Sequence, residues 1–161
     1  MKNTTLCYLE QDGRWLMLYR PPREDDANRE KWLGVGGKCE EGESPEDCVL
    51  REVYEETGLR LLRYRYRGLV TFVSDRWPTE YMHLFTSDAF AGDLRPCDEG
   101  ELRWVKKGDV PALPIWEGDR IFLRLLEENA PFFSLKLVYA GDRLTAAVLD
   151  GVPLPGADRN G

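Results

Sequence analysis

Residues 37–59 read GKCEEGESPEDCVLREVYEETGL, and this stretch decides how the chain folds. It contains eight carboxylates, with a single basic side chain between the first and the last of them. In a helix, Glu52, Glu55 and Glu56 would share one face, because they stand at positions i, i+3 and i+4. Like charges at this spacing destabilise a helix by roughly 0.2–0.5 kcal/mol per pair. The pattern therefore indicates a cation at this face, while a solvated acidic surface is the alternative for the charges alone.

The same stretch carries the start and stop signals of a helix. Ser44 can act as the N-cap, Pro45 suits the first helical position, and Asp47 can complete a capping box. Gly58 supplies a C-terminal stop. An apolar stripe runs beside the acidic one and is formed by Val49, Leu50, Val53 and Tyr54. The sequence therefore predicts a helix that rests on a core through this stripe and turns its carboxylates toward a cleft.

The spacing of glycine and charged residues matches, without a gap, the box that defines the Nudix hydrolases. It reads Gly37, five residues, Glu43, seven residues, and then REVYEETGL over residues 51–59. A chance match to all these positions has odds on the order of one in a million. The chain thus resembles a family of Mg²⁺-dependent hydrolases that cleave a diphosphate linked to another group, usually a nucleoside. The resemblance also implies the α/β class, with an α/β/α sandwich in which a mixed β-sheet lies between helices.

The resemblance implies roles for individual residues of the box. Arg51 would orient Glu52, and Glu43 would brace the loop. The general base stays open among the glutamates, with Glu52 as the first candidate for activating water. Carboxylates without nearby His or Cys suit Mg²⁺, with Mn²⁺ as an alternative. The implied metal ligands are the Gly37 carbonyl, Glu52, Glu55, Glu56 and, from a distant loop, Glu99.

Residues outside the box extend the resemblance to the MutT-like oxidised purine nucleoside triphosphatases. The segment KWLGVGGK at 31–38 resembles the approach to their box, and the likeness continues to WEGD at 116–119. It implies that Trp116 stacks on the base, that Asp119 hydrogen-bonds the edge of the base, and that Lys38 meets a phosphate. From the residues alone, a core position for Trp116 and a helix-dipole role for Asp119 remain alternatives.

Two positions depart from the pattern of those enzymes. Leu33 stands where they have an asparagine that helps to read the base, and leucine can neither donate nor accept a hydrogen bond. Gly118 replaces the first acid of an acidic pair. Because strong selectivity comes from buried polar groups, we expect a broader purine pocket. Arg20 and Arg23 are further candidates for phosphate contact, with solvated side chains as the alternative.

The length and composition of the chain indicate a single domain. It has 161 residues, 42% of them hydrophobic, and a net charge of −7. We expect a Nudix domain over residues 1–150 and a disordered tail over residues 151–161. The acidic balance argues against a long nucleic acid and favours a small-molecule nucleotide escorted by a divalent cation. Neither a membrane span nor a signal-peptide core is evident, so we expect a cytoplasmic protein with reduced cysteines.

Periodicity and turn residues predict the remaining elements. A second amphipathic helix is predicted over residues 117–128, and a polar loop over residues 21–30. The two helices and a mixed set of strands fit the sandwich that the resemblance implies. Strands are predicted over residues 4–9, 15–19, 61–73, 81–85, 101–105, 132–139 and 144–149.

The leading functional hypothesis is hydrolysis of a nucleoside triphosphate to the monophosphate and pyrophosphate. The substrate would be a purine or oxidised purine nucleotide, such as 8-oxo-dGTP. A second hypothesis keeps the chemistry and changes the substrate to a dinucleoside polyphosphate, a nucleotide sugar or ADP-ribose. A third is a nucleotide-sensing module that binds without cutting, which the complete set of box carboxylates disfavours.

Overall fold

The structure, a computed structural model, describes residues 1–156. This part of the chain contains nine β-strands and two α-helices. A 3₁₀ helix at Lys107–Ala112 follows the sixth strand. No helix in this part of the chain is long and apolar enough to cross a membrane. In chain order the elements are β1 (Lys2–Gln11), β2 (Arg14–Tyr19), β3 (Trp32–Leu33), α1 (Pro45–Thr57), β4 (Arg60–Ser74), β5 (Glu80–Ala91), β6 (Glu101–Lys106), α2 (Asp119–Glu127), β7 (Phe133–Ala140), β8 (Arg143–Leu149) and β9 (Val152–Pro153).

The strands join in one mixed sheet. Their order is β3-β2-β1-β5-β4-β7-β8-β9, and β6 pairs with β2. β1 runs parallel to β5, and β4 runs parallel to β7, whereas the other pairs are antiparallel. The mixed sheet predicted from the sequence is therefore confirmed.

Side chains of β1 alternate between two cores on opposite faces of the sheet, as the period of a strand requires. Tyr8 is buried in a cluster with Phe122 of α2. The preceding residue, Cys7, is buried in a second cluster with Val53 of α1. The two helices thus cover opposite faces, and the predicted α/β/α sandwich is confirmed.

Helix α1 begins and ends where the sequence predicts. The Ser44 hydroxyl accepts a hydrogen bond from the Asp47 N–H at 3.0 Å, and the Asp47 carboxylate accepts one from the Ser44 N–H at 3.1 Å. This reciprocal pair is the expected capping box. Gly58 ends the helix at φ 81°, with its N–H donating to the Tyr54 carbonyl at 2.8 Å. The caps fix the register in which the helix presents its carboxylates.

Several features differ from the sequence-based expectations. Helix α2 begins at Asp119 rather than at residue 117, and β3 and the 3₁₀ helix were not predicted. The prediction of disorder from residue 151 is wrong for the first part of the tail, because β9 pairs with β8 and the Leu154 N–H donates to the Ala147 carbonyl at 2.8 Å. Backbone pairing thus compensates there for a Pro/Gly-rich composition. Residues 157–161 lie outside the described part of the chain.

The core assignment predicts unequal costs for two matched truncations. Leu135 of β7 is fully buried, whereas Leu62 of β4 is 70% exposed. Leu135→Ala should lower the free energy of unfolding by about 2–5 kcal/mol, because it removes buried methyl groups and leaves a cavity. Leu62→Ala should change it by no more than about 0.5 kcal/mol. Urea denaturation followed by tryptophan fluorescence measures both, and equal losses would contradict the assignment.

Candidate active site

Most of the site residues predicted from the sequence line one cavity of about 530 Å³. They come from the sheet, from α1, from the start of α2 and from four loops. Glu55 is exposed beside the cavity, and Glu56 is buried and reaches its wall through Gly36. The predicted residues that line the cavity are Arg20, Arg23, Leu33, Gly37, Lys38, Glu52, Glu99, Trp116 and Asp119.

Arg51 connects the box loop to the acidic face of α1. Its Nε and Nη2 donate to the two carboxylate oxygens of Glu43 at 2.7 and 2.8 Å. Its Nη1 donates to Glu52 at 2.7 Å and to Glu55 at 3.2 Å, and Nη2 also donates to the Lys38 carbonyl at 3.1 Å. The hydrogen bonds from Arg51 lower the pKa of Glu43 to about 2. One guanidinium therefore positions both the loop and Glu52.

Gly37 makes room for the carboxylate of Glu52. A Cβ at Gly37 would lie 2.5 Å from the Glu52 Cδ, so any side chain there would displace this carboxylate. The Gly37 carbonyl, expected from the resemblance to be a metal ligand, accepts hydrogen bonds from the Thr5 N–H at 2.9 Å and from the Cys48 thiol at 3.6 Å. Because this oxygen already accepts hydrogen bonds within the protein, the role visible for Gly37 is steric, and its part as a metal ligand stays a prediction.

Glu56 is a buried carboxyl group with one unsatisfied oxygen. Its Oε1 accepts a hydrogen bond from the Gly36 N–H at 2.7 Å, whereas Oε2 is buried without a partner in residues 1–156. Burial, followed by the nearby charges of Glu99 and Glu52, raises the pKa of Glu56 to about 8. A positive partner at Oε2 would relieve both the missing contact and the repulsion.

Arg20 and Glu99 connect two loops at the cavity. The Arg20 Nη1 donates to the Glu99 carboxylate at 2.8 Å, and its Nε donates to Asp26 at 2.9 Å. Glu99 is the more exposed of the two partners. Arg20, predicted as a phosphate contact, is thus held between two carboxylates in this conformation.

The donor set at the cavity fits a hard divalent cation. As they stand, no three Asp, Glu, His or Cys side chains in the described residues lie close enough to enclose an ion, since Arg51 holds Glu52 and Arg20 holds Glu99. The nearby donors are nevertheless carboxylate oxygens, which such cations prefer. The Oε2 atom of Glu56, which is buried without a partner, favours a positive charge beside it. Glu52, Glu56 and Glu99 are therefore the residues that could hold it.

Trp116 is a nearly buried part of the cavity wall. Its ring is 5% exposed, and its indole N–H donates to the Asn28 side-chain oxygen at 2.9 Å. The Lys31 Nζ lies 4.3 Å from the ring centroid, and Tyr139 packs edge-on against the ring. These contacts hold the indole in one orientation, and its stacking on a base stays a prediction.

Asp119 is a buried carboxyl group at the first position of α2. It is 5% exposed and lines the cavity, and burial raises its pKa to about 8. A carboxyl group that keeps its proton near neutral pH offers both a donor and an acceptor. The neighbouring Gly118 donates its N–H to the Tyr139 hydroxyl at 2.7 Å, and a Cβ at Gly118 would lie 2.5 Å from the Leu137 Cδ1. Packing against β7 thus disfavours an acidic side chain at position 118.

Sequence reasoning missed several residues of the cavity wall. Phe72 and Met82 lie on predicted strands, but strand periodicity does not distinguish a cavity from a core. Asn28 and Trp77 lie between named elements, outside any motif. The one available signal was a tryptophan within the turn-rich segment SDRWPTE at 74–80.

Comparison with known proteins identifies the family. Residues 2–126 match the NUDIX domain, and the chain therefore belongs to the Nudix family. It is similar to an uncharacterized Nudix hydrolase, YvcI, of Bacillus subtilis, with 34% identity over 124 residues that cover 74% of this chain and 75% of the relative. It is also similar to the oxidized purine nucleoside triphosphate hydrolase of Danio rerio, with 29% identity over 153 residues that cover 94% of this chain and 96% of the relative.

A solved structure supports the same assignment. A MutT protein from Bacillus halodurans has a TM-score of 0.83 and 26% identity, covering 93% of this chain and 98% of that chain. Together with the NUDIX match, this similarity makes the chain a MutT-like Nudix hydrolase.

Asp119 predicts a dependence of stability on pH. Its pKa is about 8 in the folded protein against an ordinary value of 3.8, so between these values the folded state binds more protons than the unfolded state. The stability contributed by this group is therefore present at low pH and is lost as pH rises through the window, by up to about 1.4 kcal/mol per pH unit. Asp119→Asn lacks this term and should gain stability relative to the parent protein as pH rises from about 4 to 8.

Urea denaturation across this pH range measures the difference between variant and parent. The exposed Asp109 offers a matched control. Asp109→Asn should give a curve parallel to that of the parent protein. A constant difference for Asp119→Asn would show that the buried carboxyl group does not keep its proton.

Proposed function

We propose that the protein hydrolyses purine nucleoside triphosphates, including oxidised purines such as 8-oxo-dGTP, to the monophosphate and pyrophosphate. The observation that carries this proposal is that the box carboxylate Glu52 and the buried Asp119 line the same cavity of about 530 Å³. One cavity therefore combines a hydrolytic group with a group able to recognise a base. The Danio rerio relative, named as an oxidized purine nucleoside triphosphate hydrolase, agrees with this substrate class.

The chemistry assigned to the box depends on a few carboxylates. Glu52, oriented by Arg51, accepts a proton from the attacking water, and burial raises its pKa in the direction that suits a base. Water attacks phosphorus, a phosphorus–oxygen bond breaks, and pyrophosphate and the monophosphate leave. Mg²⁺ held by Glu52, Glu56 and Glu99 would neutralise phosphate charge and lower the pKa of the water. Lys38 supplies a further positive charge at the cavity wall.

Base recognition is assigned to Asp119 and Trp116. A protonated Asp119 can donate a hydrogen bond to a ring nitrogen or carbonyl and accept one from an amino group. Trp116 and Phe72 offer aromatic surface, on which stacking is worth roughly 1–3 kcal/mol per base. Leu33 contributes only apolar surface to the same cavity. With one acidic reader, the site should accept both ordinary and oxidised purines.

Substitution of the box carboxylates tests the chemistry. Glu52→Gln and Glu56→Gln should each lower kcat by roughly 10²–10⁴, because each removes a base or a metal ligand. Glu41→Gln removes an exposed carboxylate of the same box and should leave kcat nearly unchanged. Chromatography of the products with a panel of nucleotides measures turnover. Near-normal turnover in both site variants would refute the assignment.

The same product analysis distinguishes the other hypotheses. Monophosphate with pyrophosphate requires a triphosphate substrate. A nucleoside monophosphate with a sugar phosphate indicates a nucleotide sugar or ADP-ribose, and two nucleotide products indicate a dinucleoside polyphosphate. Binding without any product would indicate a sensing module. A thermal shift with Mg²⁺ and nucleotide reports this binding, since a ligand at 100 times its Kd stabilises by about 2.7 kcal/mol.

Leu33 provides a separate test of substrate breadth. Leu33→Asn adds a donor and an acceptor to the cavity wall, where leucine has neither. The ratio of kcat/KM for 8-oxo-dGTP to that for dGTP should rise by about tenfold, the value of one well-placed hydrogen bond. Leu33→Met keeps an apolar side chain and should leave the ratio unchanged. An unchanged ratio in Leu33→Asn would remove Leu33 from base recognition.

A further inference from the structure

A second cavity, of about 230 Å³, lies beside the C-terminal end of α2. Its wall includes Leu126 and Asn129 from this end, Thr86 of β5, and three arginines of β4, namely Arg63, Arg65 and Arg67. Within the described part of the chain, this wall has no residue in common with the candidate active site. The two cavities are therefore separate sites.

Two of the cations at this cavity already have carboxylate partners. Arg63 pairs with Asp88 at 2.9 Å, and Lys107 pairs with Glu10. Arg65 and Arg67 differ, because neither forms a salt bridge with a carboxylate in residues 1–156. One carboxylate of the wall, that of Glu127, also lacks a salt bridge within residues 1–156, so the two guanidinium groups exceed the unpaired carboxylates of the cavity by one charge.

Within residues 1–156, the hydrogen bonds of Arg65 and Arg67 go to neutral oxygens. The Arg65 Nη1 donates to the Asn129 side-chain oxygen at 2.9 Å. Arg67 donates to the Thr86 hydroxyl at 3.1 Å, to the Leu126 carbonyl at 3.2 Å and to the same Asn129 oxygen at 3.5 Å. Two like charges therefore converge on one neutral amide oxygen.

This convergence is costly for the protein alone. Arg67 is 5% exposed, and a buried charge is expensive unless it is paired. Its contact with Leu126 lies at the end of α2, where the helix dipole supplies the equivalent of about half a negative charge. That amount offsets only half of one positive charge, so the helix end does not neutralise the two guanidinium groups. Burial and the neighbouring Arg65 accordingly lower the pKa of Arg67.

We propose that this cavity binds inorganic phosphate, or the terminal phosphate of a small ester, between Arg65 and Arg67. The planar guanidinium group matches the oxygens of a phosphate, and the N–H groups of both arginines that the neutral oxygens do not engage can donate to one anion. A volume of 230 Å³ equals about eight water molecules at roughly 30 Å³ each, which accommodates the five heavy atoms of phosphate.

Nuclear magnetic resonance on the metal-free protein tests the proposal independently of turnover. Phosphate is titrated at constant ionic strength, with chloride as the replaced anion, while the arginine Nε–H signals are recorded. The signals of Arg65 and Arg67 should shift and saturate with a Kd of about 1 mM or below. A parallel titration with a nucleoside monophosphate distinguishes the two sources of phosphate. Saturation by free phosphate alone means that the site binds the inorganic anion, and saturation by both compounds means that it also binds the terminal phosphate of an ester. Absence of saturation with both compounds would overturn the proposal.

A matched pair of variants assigns the binding to this cavity. Arg65 is exposed, so Arg65→Gln should fold, and it should weaken phosphate binding by about tenfold through loss of a charge-assisted hydrogen bond. Arg60→Gln makes the same change in net charge on the same strand but outside the cavity, and should alter the Kd by less than about twofold, because distant surface charges are screened. Equal effects of the two variants would also overturn the proposal.

Discussion

One guanidinium, that of Arg51, makes it possible for an acidic box to fold against a cavity. Exposed ion pairs contribute little to stability, but the side chains of Arg51, Glu43 and Glu52 are only 22%, 15% and 16% exposed. The same cation bonds the loop backbone at Lys38. The position of Glu52 in the space left by Gly37 and the closure of the loop therefore depend on one side chain.

Within residues 1–156, two carboxyl groups are buried, those of Glu56 and Asp119, and their surroundings differ. Glu56 lies among other acids and has an unpartnered oxygen, so a cation completes its environment. Asp119 lies beside Trp116 and close to Tyr139, and burial favours its protonated form. Burial raises the pKa of both groups to about 8, so they differ in their neighbours, which are other acids around Glu56 and aromatic rings around Asp119.

The sequence predicts local features well where the physical signal is local. Ser44, Asp47 and Gly58 determine the ends of α1 through contacts within four residues, and these ends are as predicted. Strand β9 pairs with the neighbouring β8 across the turn at residues 150–151, and the Pro/Gly-rich composition of this segment conceals the pairing. The packing of Trp116 depends on Asn28, a partner distant in the chain that no local pattern reveals. The engagement of the Gly37 carbonyl by Thr5 is equally a property of sheet pairing. Box spacing identifies which residues matter, and tertiary contacts decide what each one can do.

The contact between Gly118 and β7 has an evolutionary consequence. A side chain at position 118 would meet Leu137 and the Tyr139 hydroxyl, at 2.5 and 2.7 Å from its Cβ. An acid at position 118 therefore requires the ends of these two side chains to shift or β7 to carry smaller residues, because an added Cβ overlaps both at their present positions. Mutations at position 118 are in this way coupled to mutations at positions 137 and 139.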